Sequence, residues 1–148
     1  MSFHLPPPVN TTDIKWAANA WDRAKGLEPS LTSYGFGTCG QYEDQFKGGP
    51  NHRQLLMIAA CGFFLYDLPK VKAHRKSFGS YALKHGVEKW CGFYIMEGAL
   101  IAAAVTLGVS LKRYTGKHGA FVGIALRPTI QRLSERLQKQ PPGLQIDD

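Results

Sequence analysis

The sequence predicts an all-α membrane protein, and three observations carry that expectation. The first is an apolar run from Trp90 to Leu111, WCGFYIMEGALIAAAVTLGVSL, which holds one charged residue, Glu97. The second is its flanks: Trp90 and Tyr94 at one end and Lys112, Arg113 and Tyr114 at the other, where amphipathic rings and cations mark bilayer interfaces. The third is another apolar stretch, Leu55 to Leu68. At about 1.5 Å of rise per residue, a helix over 90–111 would be roughly 33 Å long and would cross a hydrocarbon layer of about 30 Å.

Taken in order, Pro6, Pro7 and Pro8 predict an extended N-terminal arm. Thr12 or Asp13 then caps a short amphipathic helix to about Lys25, with Ile14, Ala17, Ala18 and Trp21 at helical spacing and Gly26 as its stop. Residues 27–53 are rich in turn formers and read as loop. Their glycine-rich YGFGTCGQ lacks the spacing of phosphate-binding fingerprints. A second transmembrane helix is expected at about 54–71, although it reaches spanning length only by including Asp67, Pro69 and Lys70. After the span at 90–111, Gly119–Pro128 is too short to cross. Pro128 then opens an amphipathic C-terminal helix from Arg127 to about Gln140, with Ile130, Leu133 and Leu137 on one face. The organisation expected is an arm, short helix and loop over 1–53, a membrane region over 54–113, and a C-terminal helix and tail over 114–148.

The chain has 148 residues and a net charge of +7, with a pI near 9.5 and a mean hydropathy of -0.21. That charge suits an anionic lipid surface, nucleic acid or an acidic partner. Its concentration between the two apolar stretches favours lipid, and Lys70, Lys72, Arg75 and Lys76 are candidate contacts for a headgroup such as that of cardiolipin. No nucleic-acid docking motif is present. Cys39, Cys61 and Cys91 show no paired spacing, and the five histidines form no ligand pair on one helix face, so no metal, cofactor or disulfide framework is expected. No nucleophile motif occurs either, and the chain reads as a non-enzyme.

Within the long run Glu97 is costly in hydrocarbon, and is expected to bond to a neighbouring helix or to face a polar path. Gly92, Glu97, Gly98 and Ala102 are candidates for interhelical packing, because small residues let backbones approach closely.

His52 to Leu56 reads HRQLL and is followed by Phe63, Phe64 and Tyr66, then by a basic stretch containing Ala73, Arg75, Phe78, Gly79, Tyr81, Lys84 and His85. This segment resembles C-two, the small two-span accessory component in the membrane arm of mitochondrial complex I, NADH:ubiquinone oxidoreductase. The resemblance implies a non-catalytic supernumerary subunit that assembles and stabilises a respiratory complex in the mitochondrial inner membrane, with other subunits and anionic lipid as partners. Expectations in reserve are an accessory subunit of ATP synthase or another oxidative-phosphorylation complex, a small transporter or channel component using Glu97, and a soluble basic binding protein.

Overall fold

A computed structural model describes residues 11–37, 41–114 and 118–135, so the proline arm and the chain beyond Glu135 lie outside the described residues. Five helices and two small antiparallel sheets make up the described part: α1 (Thr11–Leu27), β1 (Leu31–Thr32), β2 (Gly35–Phe36), α2 (His52–Leu65), β3 (Phe78–Gly79), α3 (Ser80–Cys91), α4 (Glu97–Thr106), β4 (Leu111–Arg113), β5 (Ala120–Val122) and α5 (Leu126–Ser134).

The expected all-α membrane fold is not what forms. Among the described residues no helix is long and apolar enough to cross a membrane. The run at 90–111 is three pieces rather than one helix. Gly92 ends α3 in the left-handed region at φ 88°, where a Cβ would be strained. Residues 93–96 then form a loop, and α4 lasts only ten residues before the chain turns into β4. The second stretch, expected at 54–71, is α2, whose fourteen residues end at Leu65.

These stretches are apolar because they are the core. In α2 every residue from Leu56 to Leu65 is buried, and in α4 every residue from Gly98 to Ala104. A helix buried on all sides loses the polar stripe of a surface helix, so its composition matches that of a membrane span. The small side chains of α4 let α1 and α2 pack closely on it. Thr106 Oγ1 at its far end donates to the Ala20 carbonyl of α1 at 3.0 Å. Ala102, expected to face a neighbouring helix, is fully buried in this core.

The expected N-terminal helix is α1, extended by about a turn. Asp13, Ala17, Ala20, Trp21 and Ala24 give it one buried face, and Trp21 meets Phe46 edge-on at a centroid distance of 4.9 Å. The start of α2 is fixed by a reciprocal cap: the Gln54 N–H donates to Asn51 Oδ1, and the Asn51 N–H to Gln54 Oε1. Replacing Asn51 by Ala is expected to cost about 1 kcal/mol in urea denaturation, since the side chain is exposed and the cap is what it contributes.

Strand β5 is central to the three-stranded sheet, with β3 on one side and β4 on the other. Ile124, just beyond it, bridges to Lys70. Helix α5 covers α3, and Arg132 ties it to α2 by donating to the Phe64 carbonyl and to Asp67. All four candidate lipid contacts, Lys70, Lys72, Arg75 and Lys76, are exposed, and Lys70 also donates to the Leu107 carbonyl at the C-terminal end of α4. A cation there also suits the helix dipole.

Candidate functional site

Glu97 is the first residue of α4, and the fold places it beside three segments distant in sequence. Gly98 presses α4 against the β1–β2 hairpin so closely that a Cβ would lie 1.9 Å from the Thr32 carbonyl oxygen. The Gly98 N–H donates to the Ser33 carbonyl at 3.0 Å. Gly98 is therefore a contact for a hairpin rather than for a helix.

Ser80 opens α3 and is fully buried. Its Oγ accepts the Ala120 N–H at 3.0 Å, which directs the hydroxyl proton toward Glu97 Oε2, 2.6 Å away. Gly119 packs against the same carboxyl, where a Cβ would sit 2.6 Å from Oε2.

These elements enclose a cleft of about 520 Å³, whose lining includes Tyr34, Tyr81, Tyr94, His85 and His118 besides Glu97. Both imidazoles are held through Nδ1. That of His118 lies 2.9 Å from the Phe36 carbonyl, which can only accept, so Nδ1 carries the hydrogen and Nε2 is left as the acceptor in the neutral ring. That of His85 lies 3.1 Å from Glu88 Oε2.

Glu88 is a hub. Its Oε1 accepts from Lys84 Nζ at 3.0 Å and from the Ile95 N–H at 3.3 Å, and so fastens the 92–96 loop to α3. Lys84 Nζ also donates to the Ile95 carbonyl at 3.1 Å, and its side chain is only 7% exposed. The ammonium lies 4.8 Å from the centre of the Tyr94 ring and 5.5 Å from that of Tyr81.

Burial pushes the Glu97 carboxyl above its ordinary value; the Ser80 hydrogen bond and the positive fields of Lys84, His118 and His85 oppose this without offsetting it. Burial also pushes Glu88 upward, but the hydrogen bonds from Lys84 and His85 outweigh it and its net shift is downward. Tyr114 is raised by burial and by the neighbouring Glu97 charge. Burial raises the Cys61 thiol well above its usual value and pushes that of Cys91 up to about 12, which disfavours the thiolate at both.

The Glu97 shift has a consequence for stability. Between about pH 4.5 and its raised midpoint the folded chain holds a proton that the unfolded chain has lost, so this group destabilises the fold as pH rises. Glu88 acts oppositely, stabilising above the unfolded value and losing that contribution as pH falls. In urea denaturation, Glu97→Gln is therefore expected to gain stability relative to the native chain between pH 4 and pH 7; an unchanged difference would contradict the shift.

Among the described residues no group of three or more His, Cys, Asp or Glu could hold a metal ion. Of the residues singled out in the sequence, Glu97 and Gly98 meet at the cleft and its hairpin wall, while Gly92 caps α3 and Ala102 lies in the core. Ser80, His85, Glu88 and His118 complete the cleft and the frame around it, and no motif in the sequence marks them. His85 and Glu88, three apart on α3, are the pair whose helical spacing carries a signal.

The fold and site define a small, mostly helical domain with a buried core helix that presents a carboxyl to an aromatic cleft. No protein family, no curated protein and no solved structure matches the chain.

Proposed function

We propose that this chain is an acid–base enzyme acting on a small polar ligand, with Glu97 as the group that carries the proton. The observation that supports this is the seat of Glu97: a carboxyl at the cleft wall, oriented by a hydroxyl whose own geometry is fixed by the Ala120 N–H. Burial raises the Glu97 carboxyl's hold on its proton, which suits it better to proton donation than an ordinary surface carboxylate. His118, next in sequence to the Gly119 that packs on Glu97, offers Nε2 as an acceptor. This departs from the expectation of a chain without catalytic groups.

The test is a carbon-detected NMR titration of the Glu97 carboxyl. The expected midpoint lies above 4.5 and moves higher in Ser80→Ala, which deletes the hydrogen bond that favours the ionised form. A midpoint at or below 4.5 overturns the proton-carrying role.

The role of respiratory accessory subunit is a second proposal, supported by the resemblance of residues 52–85. It no longer draws on membrane-spanning helices among the described residues. Blue-native electrophoresis decides it: co-migration with the components of complex I supports the role, and migration at the monomer mass opposes it.

A further inference from the structure

We infer that the cleft takes a neutral saccharide, with the apolar faces of its rings against Tyr81 and Tyr94 and its hydroxyl groups toward Glu97 and His118. The inference deepens the acid–base reading of the same site and rests on it.

Tyr81 and Tyr94 are large aromatic side chains left 59% and 57% exposed, and both line the cleft. Their rings are placed by different elements, α3 and the 92–96 loop, yet both lie close to the buried Lys84 ammonium. The two ring distances bound the separation of the centroids at about 10 Å. Tyr81 is held further by an edge contact to His85 at 4.5 Å. Two exposed, positioned rings around a polar cleft suit a ligand that is apolar on its faces and hydrogen-bonding at its edges. A pyranose has that character.

Charge narrows the class. Lys84 is the one Lys or Arg among the described residues that line the cleft, and its ammonium is committed to Glu88 and to the Ile95 carbonyl. A phosphate or sulfate would therefore find no unengaged cation among them. A quaternary or primary ammonium is also disfavoured, because the tyrosine rings it would seek already face the Lys84 ammonium. What the lining offers besides Lys84 is a set of hydrogen-bonding groups: the Glu97 carboxyl, the His118 and His85 imidazoles, and tyrosine hydroxyls.

With Glu97 as donor, the bond such a site breaks is a glycosidic C–O bond. Glu97 gives its proton to the bridging oxygen as the bond to the anomeric carbon breaks. A water oxygen bonds to that carbon and yields one proton to His118 Nε2. The proton returns to Glu97 through solvent, so one water is consumed for each bond cleaved.

Saturation-transfer NMR and calorimetry on the full chain with cellotetraose, maltotetraose and chitotetraose, against adenosine monophosphate, glucose 6-phosphate and choline, test the inference. At least one neutral tetrasaccharide is expected to bind, with Tyr81→Ala and Tyr94→Ala each weakening it about threefold to tenfold. Both side chains are largely exposed, so circular dichroism should show both variants folded. Binding of the charged probes in preference, no binding of any tetrasaccharide, or unchanged affinity in both folded tyrosine variants overturns the inference. New reducing ends from the bound sugar support both readings. Binding that depends on the tyrosines but yields no reducing ends supports the saccharide inference and overturns the acid–base one.

Discussion

Replacing Glu97 by Gln is expected to lower kcat on a bound saccharide by about 10²- to 10⁴-fold while leaving binding within a few-fold of the native chain. The amide has nearly the shape of the carboxylic acid, and its oxygen can still accept from Ser80 Oγ, which keeps the Ala120 N–H as its own donor. The hydrogen-bond frame around α3, α4 and β5 therefore survives. What disappears is the proton, since an amide cannot release one near neutral pH. The loss should fall on kcat rather than KM, because the rings proposed to hold the sugar, Tyr81 and Tyr94, belong to α3 and the 92–96 loop rather than to α4. Reducing-end release by purified native and variant chains across pH is the measurement. The native profile should decline on its alkaline side as Glu97 ionises, and the variant should lose that limb. Activity within threefold of native would remove Glu97 from the mechanism.

How much of the fold is legible in the sequence varies by element. Helix α1 is legible, because Ala17 and Trp21 recur at helical spacing and turn a single face inward. The run at 90–111, expected to span a membrane, is legible as apolar but not as broken, and within it Gly98–Ala104 is the buried stretch of α4. Length and composition measure how apolar a segment is, and a core helix such as α4 is as apolar as a membrane helix. The discriminating residues are Gly92 and Gly108, which both adopt positive φ and end elements. As small residues within an apolar run they also fit close helix packing, so their presence alone gives no reason to stop a helix. Strand β5 escapes sequence reading because its three residues become a strand only through pairing with β3 and β4, more than forty residues and about ten residues away in sequence respectively.

The site shows the same division. Glu97 stands out in the sequence as a carboxylate inside an apolar run, but its partners do not. Ser80 is 17 residues before it, and the Ala120 N–H that orients the Ser80 hydroxyl is 40 residues beyond Ser80. His118 is anchored to Phe36 across 82 residues. No local period connects such positions, and only the packing of α3, α4 and β5 brings them together. The basic stretch at 70–76 has the charge of a lipid-facing loop, yet Lys70 is engaged with α4 and Val71 with the Gly123 carbonyl, so its first two residues form a structural edge of the small sheet.

The largest loss of stability is expected at Gly98, where Ala should cost about 3 kcal/mol or more in urea denaturation. The added methyl would meet backbone on the hairpin, with the Thr32 carbonyl oxygen at 1.9 Å and the Ser33 Cα at 2.9 Å. A flexible side chain could swing aside; here the β1–β2 hairpin itself must move. It cannot do so freely, because Leu31 and Phe36 are both buried and the Phe36 N–H donates to the His118 carbonyl at 2.7 Å. Moving it also stretches the bond from the Gly98 N–H to the Ser33 carbonyl, leaving a buried donor unpaired at a further cost. Gly26→Ala is the contrasting substitution, since nothing lies within 4 Å of a Cβ there and the residue is exposed in the last turn of α1. It should gain up to about 1 kcal/mol by restricting the unfolded chain. Because Ser33 and Tyr34 line the cleft, Gly98→Ala should also weaken saccharide binding even under conditions where it remains folded. A Gly98→Ala chain as stable as the native one would show that α4 does not seat against the hairpin in this way, and the wall of the cleft would have to be redrawn.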